Sequence, residues 1–381
     1  MSTFERRTTA HVVSTLGRSG PTAQLLNLVR YLSASSFRPV VITLSPEPAD
    51  SLKSEFDALG IQVESLKLSR IAGMLVGKRR LQRQLASIDP DVIHTQGFRA
   101  DSLVASIAPI VPHVASIRNY AYEDYPNKFG KLRGSWMARK HLSALSRVGN
   151  RVFCSNSLAK RVGDLHDLDG LVIQNGVDGA LFHPGDLDER TDVRRELGVM
   201  PDETLVVVIG SLVPLKHPVE ALDAFLESSA SEKGKIAYIG GGPLVVELKD
   251  RSGDDPRVMA LGQRTDVPSL LRGADLLLST SSSEGMPNAV LEALLSGVPV
   301  CLSDIPSHLE IAAEVPEDVE IFPLGSAQKA ASAIDAIVAR SEPEKDREKL
   351  ASDAQVFDAD NNGASYHKLF TKLTDNVKQT A

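Results

Sequence analysis

Cysteine is almost missing from this chain, with 2 in 381 residues. Cys154 and Cys301 each sit within an apolar, strand-like run and lie far apart in sequence. This argues against a disulfide framework or a thiolate metal cluster, and two buried thiols suit a reducing compartment. Also lacking are a secretory leader and any apolar run near the roughly 20 residues of a membrane-spanning helix, so the expected location is the cytoplasm. No self-similarity at a period of roughly 20–50 residues appears, which argues against solenoids and propellers. What remains is an ordinary globular composition, 42% hydrophobic and 24% charged. The chain is too long for a single core and suits two domains.

A net charge of −7 conceals an asymmetry. Residues 1–180 carry 23 Lys and Arg against 15 Asp and Glu, a balance of +8, while the remainder carries 19 against 34, or −15. The halves are therefore expected to meet different partners, the basic one an anionic lipid surface or an anionic acceptor. Within it, "KFGKLRGSWMARKHLSALSR" (128–147) holds six Lys and Arg, no acid, and Phe129, Trp136 and Met137. Such a segment can lie against the inner face of an anionic membrane. A solvated basic helix is the alternative. Lys78, Arg79, Arg80 and Arg83 form a second basic cluster. No nucleic-acid-binding motif accompanies this charge, so no nucleic acid is expected as a partner.

Short apolar runs alternate with helical patterns throughout. In the first half they are HVVSTL (11–16), PVVITL (39–44), DVIHTQ (91–96), HVASIRN (113–119), RVFCSN (151–156) and LVIQN (171–175). The second half has TLVVVIG (204–210), KIAYIG (235–240), VMALG (258–262), DLLLSTS (275–281) and PVCLSD (299–304). Near-continuous apolar strands suit parallel sheets covered on both faces, and the alternation with helices predicts α/β units. The polar stretch 178–203, with Pro184, Gly185 and Pro201, holds no strand pattern. It predicts a first domain over 1–180, a linker over 181–200 and a second domain over 201–361, with a C-terminal helix at about 362–381 packing back on the first. Ligands in such sheets bind beyond the carboxyl ends of the strands, so the motifs there carry the functional weight.

After the first strand, "LGRSGPTAQLLNL" places Gly17 and Gly20 before a helix, where open backbone N–H groups could hold a phosphate. "IGGGPLVVEL" (239–248) looks similar, but Val245 stands where the dinucleotide fingerprint needs Gly or Ala, which disfavours a nicotinamide enzyme. Ser211 and Lys216 lie between a strand and a helix, Lys216 well placed for a diphosphate or simply a solvated loop lysine. In "SSSEGMPNAVLEALLSGVPV" (281–300), Glu284 follows a strand. Gly285 and Pro287 turn the chain into a helix, and Glu292 lies inside that helix near the border of its apolar stripe. Seven residues separate the two acids. On spacing alone they are equally a first-turn acid and an exposed helix former. Asp-x-Asp occurs at 89–91, 167–169, 186–188 and 358–360, in each case away from the end of an apolar strand where a metal–diphosphate site would need it. No metal is expected.

Taken in order, these pieces resemble the retaining GT-B glycosyltransferases of the large family that includes many polysaccharide and lipopolysaccharide sugar transferases. The matching segments are the glycine loop 17–20, "PDVIHTQG" (90–97), "CSNSLAKRV" (154–162), residues 172–184, "GSLVPLK" (210–216), "GGGP" (240–243), residues 261–300 and "SDIPSHLEI" (303–311). "SIRNYAYEDYPNKFGKLRG" (116–134) resembles a subset associated with capsular and other surface polysaccharides. The resemblance implies an α/β fold of GT-B type, two doubly wound Rossmann-like parallel-sheet domains facing a cleft. It implies transfer of a hexose or N-acetylhexosamine from a nucleotide-diphosphate sugar, with UDP as the expected nucleotide, to a glycan or lipid-linked acceptor. No cofactor or metal is implied.

By the same resemblance, Glu284 would accept hydrogen bonds from sugar hydroxyls and support positive charge at the anomeric carbon. Gly285, Met286, Pro287 and Asn288 would present backbone toward the sugar and diphosphate, and Glu292 would bind the ribose. Lys216 would neutralise the departing diphosphate, the loop Gly17, Arg18 and Gly20 would close over it, and Arg264 to Val267 would lie beside the base. Two positions depart from the family pattern. Ser211 stands where an arginine is common, with Arg18 a candidate to compensate. Arg118 stands where a histidine is frequent, which suits a diphosphate or an anionic acceptor and rules out general-base chemistry there. A nucleotide-sugar epimerase of the same fold and a catalytically silent binding subunit are the alternative readings.

Overall fold

The computed structural model describes residues 6–340 and 345–380; residues 1–5, 341–344 and 381 lie outside the described residues. The chain divides into two compact units, Met1–Gly176 with Ala359–Ala381, and Val177–Asp358.

The first unit is built on β1 (Arg7–Val13), β2 (Phe37–Thr43), β3 (Gln62–Ser65), β4 (Val92–Gln96), β5 (His113–Ile117), β6 (Asn150–Phe153) and β7 (Leu171–Val172). They form one parallel sheet in the order β3-β2-β1-β4-β5-β6-β7. Successive strand residues point to opposite faces, and both faces are apolar. Val92, Phe37, Val114 and Val152 meet Leu28 and Leu32 of helix Gly20–Ala34 and Tyr366 and Phe370 of the last helix. Ile93, Ala10, Val12 and Ile42 meet Leu81 and Leu85 of helix Arg70–Ile88 and Ala100 and Val104 of helix Phe98–Ile107. A buried aromatic or aliphatic side chain of this kind contributes about 1.5–3 kcal/mol, which is why a sheet read as continuous apolar runs forms only between two helical layers.

A polar chain threads this core. Thr9 Oγ1 bonds His11 Nε2 (2.9 Å), His11 Nδ1 meets His94 Nδ1 (3.0 Å), His94 Nε2 meets Ser116 Oγ (2.8 Å), and Ser116 meets the Tyr366 hydroxyl (2.6 Å). It links β1, β4 and β5 to the last helix, Ala359–Thr380, which Arg7 also holds through Asp375 (2.5 Å). Tyr31 lies so close to Gly363 that a Cβ there would sit 2.3 Å from its ring.

The second unit contains β8 (Thr204–Ile209), β9 (Gly234–Ile239), β10 (Val258–Gly262), β11 (Leu276–Ser279), β12 (Val300–Ser303) and β13 (Val319–Phe322), again parallel, in the order β10-β9-β8-β11-β12-β13. Its core joins Val206, Ile236, Leu276 and Cys301 to Leu222 and Phe225 of helix Pro218–Glu227 and Ile334 and Ile337 of helix Ala327–Arg340.

The stretch expected as a linker is part of this unit. Residues Leu187–Glu196 form a helix with a capping box between Asp186 and Glu189. Arg190 and Arg194 both clasp Asp275, Arg194 at 2.9 Å, and Arg194 also bonds the carbonyls of Gly273 (3.1 Å) and Met200 (2.8 Å). The helix is attached through arginine forks rather than an apolar stripe, which left no hydrophobic period to read. The chain passes between the units at Gly176/Val177 and Asp358/Ala359.

Candidate active site

In each sheet the order reverses at one place, β1/β4 in the first unit and β8/β11 in the second. Such switch points leave a crevice beyond the carboxyl ends of the two strands. In the second unit the crevice is bordered by the loops after β8 and β11, and these are stitched together. Thr280 Oγ1 donates to the carbonyls of Lys216 and His217, 2.9 Å each, and Ser282 N donates to Leu215 O at 2.8 Å. Lys216 closes a short 3-10 turn, Pro214–Lys216, and His217 takes a left-handed conformation (φ 46°) before helix Pro218–Glu227.

The stitching brings Lys216 Nζ and Glu284 Oε1 into a direct ion pair. Ser281 Oγ donates to the same carboxylate oxygen at 2.8 Å. The Glu284 side chain is 11% exposed and that of Lys216 31%. Burial by itself would raise the Glu284 pKa, but the charge and hydrogen bond of Lys216, with His308 and Ser281, outweigh it and hold the carboxyl below its ordinary value. Glu284 is thus kept ionised despite its burial.

His308, in helix Pro306–Glu314, is fully buried and lies within the field of both Glu284 and Lys216. Its Nδ1 donates to Ser303 O (2.9 Å), so Nε2 is the bare ring nitrogen, and it has no partner. Burial brings its pKa down to about 4. The segment 303–311 was legible as a motif; that this histidine sits behind the ion pair was not.

Gly285, Met286 and Pro287 are buried and lead into helix Asn288–Leu295, Pro287 standing at its N-cap. Glu292, on the second turn, is half-buried; its carbonyl accepts from Ser296 N at 3.1 Å, and its side chain makes no hydrogen bond or ion pair among the described residues. Burial pushes its pKa up to about 7. It is therefore not the exposed helix former that spacing alone allowed.

Ser211 is exposed in the loop after β8. The glycines beside it serve close backbone approach: Gly240 has φ 149°, and a Cβ there would lie 1.9 Å from Gly210 O. Leu212 N donates to Gly241 O at 2.9 Å, so the run 240–242 packs the loop after β9 onto the loop that carries Lys216. Arg264 follows β10 and is engaged by two carboxylates, Asp266 (Nε–Oδ1 2.7 Å) and Glu196 (3.1 Å). Val267 opens helix Val267–Gly273 directly after Asp266.

The remaining sequence candidates, Gly17, Arg18, Gly20 and Arg118, belong to the first unit. Ser19, unremarked in the sequence, is the N-cap of helix Gly20–Ala34. Arg18 is exposed and pairs with Glu55 at 3.1 Å, so its charge already has a partner on its own surface. Arg118, just past β5, is half-buried and cradled by two amide oxygens, Gln96 Oε1 (3.2 Å from Nε) and Asn175 Oδ1 at Nη1.

Arg118 borders a cavity of about 370 Å³ at the β1/β4 switch point, whose wall includes Gly17, Ser19, Gly97, Tyr125 and His141. Behind that wall a buried relay joins Tyr125 hydroxyl to His141 Nδ1 (2.7 Å) and His141 Nε2 to Asp101 Oδ2 (2.7 Å). The relay ties three helices together through residues too far apart in sequence to be read as a set.

Segment 128–147 falls on the end of helix Ala121–Phe129 and on helix Lys131–Leu145. Gly134, Ala138 and His141 face inward, while Leu132 (92% exposed) and Trp136 (58%) stand outward among Lys131, Arg133, Arg139 and Lys140. Each Asp-x-Asp pair includes an acid with a structural contact. Asp91 accepts from Thr8 N, Asp167 caps helix Asn156–His166, Asp186 caps helix Leu187–Glu196, and Asp358 accepts from Gly179 N. Among the described residues no cluster of three or more His, Cys, Asp or Glu is arranged to hold a metal ion, and no helix is long and apolar enough to cross a membrane.

Two parallel, doubly wound α/β units of seven and six strands, each with charged or cationic groups at its switch point, define the GT-B class of fold. Residues 18–180 match the family model described as Glycosyltransferase Family 4, and residues 203–340 the model described as Glycosyl transferases group 1. By fold the chain is of the GT-B class, and its two units carry glycosyltransferase family domains.

Among curated relatives, the chain is 29% identical over 234 residues to the UDP-Gal:alpha-D-GlcNAc-diphosphoundecaprenol alpha-1,3-galactosyltransferase of Escherichia coli, covering 56% of this chain and 58% of the relative. It is 29% identical over 242 residues to the putative teichuronic acid biosynthesis glycosyltransferase TuaC of Bacillus subtilis, covering 62% and 58%. The alignments thus span somewhat over half the length of these relatives. Among solved structures, HepE of Anabaena in complex with UDP and glucose superposes with a TM-score of 0.77 at 20% identity, over 96% of this chain and 99% of that one, a likeness of fold.

Proposed function

We propose that this chain transfers a hexose or N-acetylhexosamine, with retention of configuration, from a UDP-sugar to a glycan or lipid-linked acceptor of surface polysaccharide synthesis, without a metal ion. The observation that carries this reading is the Lys216–Glu284 pair at the β8/β11 switch point, with Glu292 on the helix that follows. A diphosphate leaving group needs positive charge, and a sugar centre that becomes cationic needs a carboxylate nearby. In the resting protein the two groups neutralise each other. An entering diphosphate competes for Lys216, and Glu284, still held by Ser281, is released to accept from sugar hydroxyls and stabilise the anomeric carbon. Glu292 then binds the ribose, and the positively charged start of helix Asn288–Leu295 faces the phosphates.

Support for the donor and the acceptor comes from the relatives. One carries UDP-Gal and a lipid diphosphate in its name, another teichuronic acid, and the solved neighbour holds UDP and glucose. The first unit takes the acceptor in this reading, and helix Lys131–Leu145 rests on the anionic inner face of the plasma membrane through Leu132, Trp136 and the basic residues around them.

The test is a panel of nucleotide sugars scored for thermal stabilisation and hydrolysis, in the presence of EDTA, with Glu284→Gln and Lys216→Ala as controls. Full turnover in both variants, or turnover abolished by EDTA and restored by a divalent cation, overturns the corresponding part of the proposal. One observation favours a second reading, a silent nucleotide-binding subunit: Ser211 is exposed and uncharged where a second cation would meet the diphosphate. Nucleotide binding with no hydrolysis of any sugar in the panel would select it.

A further inference from the structure

The cavity of the first unit has a charge pattern that the transfer reading does not by itself require. Arg118 reaches it with its positive charge unneutralised, because both of its hydrogen-bond partners are neutral amide oxygens. Gln96 is itself fixed, its Nε2 donating to Pro21 O at 2.8 Å, so the cradle holds the fork in place rather than answering its charge. The third nitrogen, Nη2, is shut off from solvent and has no acceptor at all. A guanidinium donor left without an acceptor inside a wall is costly, and the side chain that carries it borders the cavity.

The rest of the wall points the same way. Arg99 and Lys128 also border the cavity, and the carboxylate on its rim, Asp124, is already paired with Lys128 at 2.9 Å. Helix Gly20–Ala34 and helix Phe98–Ile107 both begin at this wall, bringing the positive ends of two helix dipoles to it. A volume of about 370 Å³ lies in the range of small-ligand sites. The charged side chains of the wall are three cations, Arg99, Arg118 and Lys128, against the single carboxylate of Asp124, a balance that favours an anionic group over a neutral sugar.

We propose that the acceptor carries a phosphate or diphosphate ester and that Arg118 receives it in this cavity, acting as a specificity-determining residue for anionic acceptors. This rests on the transfer reading above. The same chemistry exists in the nucleotide donor, and the experiment separates the two sources. The probe is farnesyl diphosphate, titrated into the full chain with UDP present at saturation so that the donor site is filled. Farnesol serves as the uncharged control.

Arg118→Gln should weaken farnesyl diphosphate binding about 10- to 100-fold and leave UDP affinity unchanged. Arg118→Lys, which keeps the charge and loses the fork, should fall between. Lys216→Ala should weaken UDP and spare farnesyl diphosphate. Equal affinity in wild type, Arg118→Gln and Arg118→Lys overturns the proposal. So does loss in Lys216→Ala alone, or farnesol binding as tightly as its diphosphate. Should Arg118→Gln fail to fold, Arg118→Lys carries the comparison. Absence of UDP-sugar turnover would count against the transfer reading, while the farnesyl diphosphate titration would still decide whether the first unit binds an anionic ester.

Discussion

Lys216 and Glu284 are paired across two loops that are themselves hydrogen-bonded, so that a lysine from the end of β8 meets a carboxylate from the end of β11. The pair does two things at once. It keeps a mostly buried carboxyl ionised, and it holds the Lys216 cation at the place a diphosphate would claim.

Removing either partner should therefore cost about 10²–10³ in kcat, the usual loss of one preorganised group. The two variants should differ in pH dependence. In Lys216→Ala, burial acts on Glu284 against only the smaller effects of His308 and Ser281 and its pKa rises, so the acid limb of the pH–rate profile moves to higher pH. Steady-state profiles of Lys216→Ala and wild type, measured on the same nucleotide sugar, check this. An unmoved acid limb would detach Glu284 from the chemistry.

Glu292 titrates near neutrality, with its pKa raised by burial to about 7. A ribose is bound best by the ionised carboxylate, so UDP affinity should rise as pH increases through 7. Glu292→Gln should flatten that dependence and weaken UDP about 10- to 100-fold. Without ligand the sign is reversed for stability. Between about pH 4.5 and 7 the folded state keeps a proton that the unfolded state has released, so this group's contribution declines as pH rises. Glu292→Gln should accordingly raise the melting temperature of the free protein at pH 8. Isothermal titration and thermal melts across pH 6–8 read both effects.

Four buried histidines work in the opposite direction. Burial brings His11 down to about 3 and His113 and His308 to about 4, and holds His94 well below its ordinary value, where the neighbouring His11 adds to the effect. The unfolded chain takes up protons at these side chains near pH 6.5, before the folded one can. Stability is thus intact above pH 6.5 and lost as pH falls toward 4. With each pKa unit corresponding to about 1.4 kcal/mol, the histidines should dominate the single glutamate below pH 6. A melting temperature that stays level from pH 7 to 5 would contradict this.

The strand pattern was legible because parallel strands buried on both faces are apolar at nearly every position. It failed at two short edge strands, β3 (QVES), apolar only at Val63, and β13 (VEIF), whose apolar run is broken by Glu320. The helix Leu187–Glu196 was missed for a related reason, since arginine–aspartate contacts attach it and leave no hydrophobic period. Glu284, Lys216 and Glu292 stood out through local order along the chain. Pairing across loops was invisible at that level, as were the position of His308, the tethering of Arg18 to Glu55 and the relay Tyr125–His141–Asp101, because each depends on residues that only the sheet brings together.

Helix Lys131–Leu145 presents Leu132 and Trp136 outward on a basic face, an arrangement that costs solvation unless something apolar covers it. If it rests on anionic lipid, replacing Arg139 and Lys140 together by Gln should lower partitioning onto phosphatidylglycerol vesicles about 10- to 30-fold, at about 1 kcal/mol per cation. Trp136→Ser should lower it at both low and high salt, while the charge variants lose their effect as salt screens them. Co-sedimentation measures this. Equal binding to neutral phosphatidylcholine vesicles, or none to either, would count against membrane contact.

The loop that carries Lys216 depends on a glycine outside it. Gly240 approaches Gly210 so closely that any Cβ would press on a backbone carbonyl, at a φ of 149° that L side chains rarely adopt. Gly240→Ala must then push the loops after β8 and β9 apart, breaking the bond from Gly210 N to Ile239 O (3.0 Å) and moving the turn that sets Lys216 against Glu284. Backbone strain of this kind costs about 1–3 kcal/mol. The expected result is a lower melting temperature together with weaker UDP binding. Gly253→Ala offers the contrast, since that glycine also has positive φ (58°) but open space around it and lies at the end of helix Val245–Ser252. It should lower stability modestly and leave UDP affinity intact. If Gly240→Ala loses stability while UDP binds as before, the glycine run serves the fold of the second unit and not the placement of Lys216.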